Sequence, residues 1–521
     1  MPGRGKYSFS FRTMHVCDCP FHSMLCLNVT RDYVRFSKTL NILDEYQYMS
    51  LLAKLFYYTK IHGLRKVPGP WFPGASSLWI RWQRWNGNLS FSADELLSKY
   101  GPIVRISPKM VLLNDPQAVN AIFSQKDLDT MPKAIHAFYA LEVTNGLSPI
   151  CRLTHIACDH CQPVMIATMT KNLKYWAPIF ESNISQMIND LADSDGLSSE
   201  DIVHHLRITT LRNSQVVMGG PEVNLKSQTF PSVVGEYNFL VVWRLCFPEW
   251  LFSWMKYSPF SKASFRIRSS DLLFQLGDDL RYQAEAAHHS ADHDDAPTIY
   301  ELLTKKNEKS GGIEWTRAGL SAEMAGQVLA ATETTSSALT FIFYELAKRP
   351  DLIEEIYKEL QTIDGTDGIE SLQLLAACIK EGLRFRPPVA LTGSRVVPKG
   401  GMTVLDYFIP EGTVITTQSL SLSRQSRTLF PDYDTFNPKR WLDQENLDAR
   451  LQMIAPFGVG TRRCPGKNLA SFQMRLLLAH TIRAFQISIP PETTPEVMAP
   501  FEANGFRSRY DKCFLLFKPR C

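Results

Sequence analysis

The run Phe457-Gly458-Val459-Gly460-Thr461-Arg462-Arg463-Cys464-Pro465-Gly466 places one thiol inside a glycine-rich turn. Gly458 and Gly460 permit positive φ, so amide N–H groups can turn inward toward the sulfur. Pro465 suits the first turn of a helix, and Asn468 to Ala484 reads as that helix, which sets Cys464 near its positive end. Both effects favour thiolate over thiol, and a thiolate is a metal ligand. Phe457 supplies an apolar wall, Arg462 a cation for a carboxylate, and Gly466 clearance for something flat lying against the backbone. Haem fits that description, with Cys464 as the candidate metal ligand. A structural cysteine in a tight turn is the plainer alternative, and it leaves Phe457 and Arg462 unexplained.

The spacing F-x-x-G-x-R-x-C-x-G resembles the cysteine-ligand loop of the cytochrome P450 family. Ser321 to Ala347 must supply the opposite wall of the site. It is apolar, Ala-rich and free of proline, so it reads as one long central helix. Gln327, Ala330, Ala331, Thr334 and Ala338 share a face at i, i+3, i+4 spacing, a small-residue stripe on which a porphyrin could lie. Glu333-Thr334 resembles the family's acid–alcohol pair, which relays protons to the oxygen being split. By that resemblance Glu333 and Thr334 are the catalytic residues, and Ala330 contacts the cofactor. Without it, Thr334 is a helical threonine bonded back to a carbonyl. The family usually has glycine where Ala331 stands.

Two further segments position these residues. Cys378 to Pro388 reads as a short helix stopped by Pro387 and Pro388, with Glu381 and Arg384 on one face. The resemblance implies a buried network in which Arg440, from Pro438-Lys439-Arg440-Trp441-Leu442, joins them and buttresses the cysteine loop. Ser394 to Pro398 and Ile409 to Val414 read as strands around a Gly-rich turn. Arg395 there matches a propionate-binding arginine of the family, and Val389, Ala390, Leu391 and Thr392 would line an apolar substrate pocket.

Upstream, Leu64 to Trp71 is similar to the basic, proline-rich hinge that follows the anchor of microsomal members, and Lys99 to Pro108 resembles the first strand of their small sheet. Residues 64–521 therefore read as the haem-thiolate domain, mainly α with a small β-rich region, and residues 1–63 as an N-terminal extension. Two stretches fit poorly. Where the family has a histidine and then an arginine facing a propionate, this chain offers His160 and Val164, with Pro163 expected to disrupt the helix. His155, Cys158, His160 and Cys161 also raise a zinc reading, against which stands the crowding of four ligands into seven residues. His15, Cys17, Cys19 and His22 form a similar cluster.

Residues 1–50 are interrupted throughout by charges and hold no run of about twenty apolar residues, so no spanning helix is expected. Tyr48 to Tyr58 and the Trp-rich stretch Trp79 to Trp85 could instead lie on a membrane surface. The 521 residues, 45% hydrophobic, support a large core, and a net charge of +4 is too small to imply nucleic acid. Eleven cysteines without regular spacing argue against a disulfide framework and for a reducing compartment. His288 to Asp295 reads as a solvated polar loop.

The resemblance implies a monooxygenase carrying haem b that inserts one oxygen atom of dioxygen into a lipophilic small molecule. Its electrons would come from an NADPH-cytochrome reductase, with cytochrome b5 as a further donor, at the cytosolic face of the endoplasmic reticulum. No dinucleotide fingerprint occurs in the chain itself. The Pro-Gly-Pro hinge and Pro-Lys-Arg-Trp-Leu look most like filamentous-fungal members, which serve secondary metabolism. Two other classes stand beside this one: a haem-thiolate isomerase or dehydratase, against which Glu333-Thr334 argues, and a non-catalytic haem-binding member, which Val164 and Ala331 would suit.

Overall fold

The computed structural model describes residues 49–124, 163–192, 196, 198–221, 230–247, 249–255, 261–288, 296–305, 315–460 and 463–520. The chain divides into two compact units, Met1–Ile61 and His62–Cys521. In the first, residues 49–56 are helical and Tyr57–Ile61 forms a π-turn, with Met49, Leu51, Leu52 and Phe56 exposed.

The second unit is mainly helical. Its longer helices are α1 (Leu78–Trp85), α2 (Leu89–Tyr100), α3 (Pro116–Phe123), α4 (Thr170–Ala192), α5 (Ile202–Gly219), α6 (Phe230–Cys246), α7 (Ser261–His288), α8 (Arg317–Ala347), α9 (Pro350–Leu360), α10 (Gln373–Phe385) and α11 (Lys467–Ala484). The central helix α8 opens at Arg317 rather than Ser321 because the Thr316 hydroxyl accepts the Gly319 amide at 3.1 Å and caps the first turn. From Thr335 to Ala347 every residue of α8 is buried, since α5, α7, α9, α10 and α11 all pack on it. The crossing with α10 is close: a Cβ at Gly382 would overlap the Ile342 side chain.

A four-stranded sheet runs in the order β1 (Ile103–Ser107), β2 (Met110–Leu113), β7 (Val414–Gln418), β4 (Leu391–Val396). Only β2 and β7 are parallel, with Val111 opposite Ile415. The strand expected over Ile409 to Val414 is not continuous. Pro410 lacks an amide donor and Gly412 has φ of 75°, so the chain turns there, and the hairpin β5 (Met402–Val404) with β6 (Tyr407–Ile409) precedes β7. Strands β3 (Glu200–Asp201), β8 (Phe485–Ser488) and β11 (Phe514–Pro519) form a second sheet. A hairpin pairs β9 (Pro500–Ala503) with β10 (Gly505–Ser508), turning at Asn504 with φ of 64°. Apolar side chains from α4 through α11 make one large core, and a smaller one lies beneath β1, β2 and α3.

Candidate active site

The cysteine loop is built as its sequence demands. Gly458 and Gly460 take φ of 70° and 74°, and the Cys464 amide turns back to donate to the Phe457 carbonyl at 2.7 Å. Gly460 also has no room for a side chain, because a Cβ there would overlap the Phe123 carbonyl at the end of α3. Thr461 and Arg462 lie outside the described residues. Helix α11 follows directly, with Gly466 as its N-cap.

Cys464 is exposed, yet enough protein surrounds it that burial pushes its thiol pKa up, and the Gly466 amide that points at the sulfur opposes this only in part. The sequence leads one to expect several amides and a depressed pKa. Among the described residues one amide, that of Gly466, faces the sulfur, and a bound metal cation would hold it as thiolate.

On α8 the stripe is real but shorter than expected. Ala330 is exposed and Gln327, Ala331 and Thr334 are half-buried, while Ala338 is 2% exposed and belongs to the core. The Thr334 hydroxyl donates to the Ala330 carbonyl at 2.7 Å. Glu333 turns away from this face. Its carboxylate accepts from Arg207 on α5 at 2.9 and 3.0 Å, and from Arg507 on β10 at 2.6 Å. Arg207 donates equally well to Asp511, at 2.8 Å to each carboxylate oxygen. Burial alone would favour loss of the Arg207 proton, but Glu333 and Asp511 overcome it and push that pKa up. Nothing in the local sequence signals these partners, which lie 126 and 174 positions from Glu333.

Arg395 is 4% exposed on β4, donates to the Ser394 carbonyl at 3.2 Å, and sets its guanidinium 5.2 Å over the Phe123 ring. Phe123 thus touches both Arg395 and, through its carbonyl, the cysteine loop at Gly460. Phe457 is half-buried and packs on the main core.

Glu381 and Arg384 form the expected buried pair, at 2.7 and 2.9 Å, and Arg440 approaches the same carboxylate at 3.3 Å. Trp441 and the Asn437 amide complete its shell at 2.8 and 2.9 Å, while Arg384 reaches the carbonyls of Tyr433 and Thr435. Residues 163–167 are helical, and the stretch before Pro163, with His160, lies outside the described residues. Val164 is buried, and Thr168 one turn later donates to the Val164 carbonyl at 2.7 Å and to the Pro465 carbonyl at 3.4 Å. Apolar packing thus stands beside the cysteine loop where the resemblance leads one to expect a cation. His155, Cys158, His160 and Cys161, the N-terminal His15, Cys17, Cys19 and His22, and the loop 289–295 lie outside the described residues.

An accessible thiol at the start of α11, a buried guanidinium sharing Phe123 with the cysteine loop, and a partly open small-residue stretch on α8 suit a flat, carboxylate-bearing, metal-centred group. A family model described as Cytochrome P450 matches residues 68–511. The chain belongs to that family. Its members are haem-thiolate enzymes with iron bound, and the chain is a monooxygenase of that kind.

The fusicoccadiene 8-ol C-16-hydroxylase of Phomopsis amygdali is 26% identical over 511 residues, covering 94% of each chain. The tryprostatin B 6-hydroxylase of Neosartorya fischeri is 25% identical over 463 residues, 84% of this chain and 79% of that one. Among solved structures, the retinoic-acid-bound cyanobacterial CYP120A1 superposes with a TM-score of 0.70 at 18% identity, over 87% of this chain and 99% of its own, and so shares the P450 fold. Among the described residues no helix is long and apolar enough to cross a membrane.

Proposed function

We propose that this P450 hydroxylates a lipophilic small molecule of fungal secondary metabolism, with Cys464 as the thiolate that would hold the iron of haem b and electrons from a separate NADPH-dependent reductase. The accessible sulfur of Cys464, set at the start of α11 by a loop that turns on Gly458 and Gly460, carries the assignment. Bound there, the haem supplies activation of dioxygen, one atom going to the substrate and one to water. The chain's own residues bind and orient. Arg395, buried and stacked on Phe123, would pair with a propionate. Phe457 walls the cysteine side, Gly466 leaves clearance on it, and Arg462 is a second propionate partner by the resemblance. Ala330 offers the flat contact on α8, and Thr334 holds a hydroxyl proton on that same face. Glu333 is the acid of the pair and must leave Arg207 and Arg507 to serve.

Two further supports bear on substrate and place. Leu391 at the start of β4 would add apolar lining, and the two fungal relatives are named as hydroxylases, one of fusicoccadiene 8-ol and one of tryprostatin B. Trp71, Leu78 and Trp82 are exposed, which favours peripheral attachment to the endoplasmic reticulum on its cytosolic side. Full recovery in the soluble fraction without detergent would remove that attachment. The assignment itself is tested by comparing wild type with Cys464→Ala in the reduced, carbon monoxide-treated visible spectrum. A thiolate signature present in the first and lost in the second is the expected result, and identical spectra would overturn it.

A further inference from the structure

The open face of α8 begins with a polar pair. Glu323, Gln327, Ala330, Ala331 and Thr334 recur at helical spacing, so they share one stripe. Ala330 is exposed and the other four are half-buried, whereas Ala325 and Thr332 on the opposite side are fully enclosed. The Gln327 amide nitrogen donates to a Glu323 carboxylate oxygen at 2.7 Å. A carboxylate only accepts, so it fixes the nitrogen end of the amide toward Glu323; the reverse setting would oppose two acceptors. The carbonyl oxygen is therefore the end that Gln327 has left to offer, and among the described residues no protein donor reaches it. Seven residues of helix separate Gln327 from Thr334, about 10 Å along the axis. Between them the stripe shows Ala330 and Ala331, whose side chains have nothing polar to give.

We propose that Gln327 is a specificity-determining residue that selects a lipophilic substrate carrying a hydroxyl or N–H donor, and that Glu323 is the positioning residue that presents the Gln327 carbonyl to it. This rests on the reading of the open face of α8 as the side on which the substrate lies. The donor binds at Gln327 and the carbon to be hydroxylated lies beside Thr334, so the stripe acts as a ruler that holds the two about 10 Å apart. The small alanine side chains between them leave room for the apolar span of the substrate. A half-buried carbonyl discriminates well, because a molecule without the donor displaces water from that oxygen and returns no hydrogen bond. An ether or a hydrocarbon of the same shape would lie on the same stripe and leave the acceptor unmet.

The test uses holoprotein of wild type, Gln327→Leu and Glu323→Leu, with Gln327→Met in case Gln327→Leu does not load haem. Two matched pairs of probes are titrated by calorimetry: dodecanol against its methyl ether, and N-methyl dodecanamide against the N,N-dimethyl amide. Wild type is expected to bind the donor-bearing member of at least one pair about tenfold tighter than its mate. Gln327→Leu should bring that ratio to within about twofold of one, by weakening the donor-bearing probe and sparing the other. Glu323→Leu should lower the ratio to about threefold, since the amide can then turn its nitrogen outward. In turnover with an NADPH-dependent reductase, alkanols from decanol to hexadecanol should be hydroxylated by wild type at a constant distance from the hydroxyl. In Gln327→Leu that register should be lost. Equal binding within both pairs, no binding of any probe, a ratio that survives Gln327→Leu, or wild-type hydroxylation that keeps its distance from the methyl end would each overturn the proposal. A full ratio in Glu323→Leu would overturn the part given to Glu323. Absence of the thiolate signature in wild type would instead overturn the functional reading, and the binding ratios would still decide the role of Gln327.

Discussion

Glu381 and Glu333 are both buried helical carboxylates gripped by two arginines, and they are opposite in character. Glu381 is wholly enclosed, and four hydrogen bonds converge on it, two from Arg384 and one each from Trp441 and the Asn437 amide, with the Arg440 guanidinium 3.3 Å away. Its arginines spend their remaining donors on backbone carbonyls, so the group is closed and ties α10 to the segment around Pro438–Trp441. Glu333 has three donors, and both arginines are shared with a rival acid that reaches solvent. A closed network fixes a fold, because breaking it strands a buried charge. A shared and open one can exchange partners, which is what a group that must move requires.

Removing a partner from the closed network should do the greater damage. Arg384→Met strands the Glu381 charge and should cost about 3–5 kcal/mol, enough that little haem-loaded protein accumulates, as read by thermal melting and the reduced carbon monoxide spectrum. Glu333→Gln keeps the shape and two of the three acceptor contacts, so a cost of about 1–3 kcal/mol is expected with the thiolate spectrum intact. Its effect should appear in turnover, lowered about a hundredfold once a substrate is in hand. Should Glu333→Gln fail to load haem while Arg384→Met loads normally, the contrast is reversed and Glu333 is the structural acid.

The same contrast explains what was legible in the chain. Glu381 and Arg384 stand three apart on one helix, and the loop Phe457 to Gly466 keeps its chemistry within ten residues, so local spacing displays both. The central helix shows itself by length and lack of proline, but its N-terminus depends on a threonine cap. Ala338 fell on the predicted stripe by periodicity, yet neighbouring helices enclose that end of α8 and only Gln327 to Thr334 stays open. The partners of Glu333 come from α5 and from β10. Pairing at that distance in the sequence is a product of tertiary packing, and no spacing rule announces it. The thiol departs from the loop argument for a related reason: glycines allow amides to face the sulfur, but among the described residues Gly466 alone supplies one, and burial outweighs it and pushes the pKa up.

A finer probe of the closed network is Trp441→Phe, which deletes one donor to Glu381 while keeping the aromatic packing on Phe430. With three donors and the Arg440 charge left, a loss of about 1–2 kcal/mol in thermal or denaturant unfolding is expected, with haem loading unchanged. A loss as large as that of Arg384→Met would mean that the indole, rather than the arginine fork, holds the network together.

The smallest effect should come from acid, and it separates the two networks by their access to solvent. Burial alone would raise the Asp511 pKa, but Arg507 and Arg207 overcome this and hold it below the ordinary 3.8. A carboxyl depressed in the folded state stabilises fully above its unfolded pKa, and that contribution fades as pH falls through the lower folded value. Asp511→Asn lacks the contribution at every pH. Melting temperatures of wild type and Asp511→Asn should therefore differ most near neutrality and converge as pH drops below about 3.8, provided the holoprotein is compared at matched ionic strength. A gap that stays constant through that range would show that Asp511 does not titrate against its arginines, and the solvent-facing side of the Glu333 network would lose its meaning.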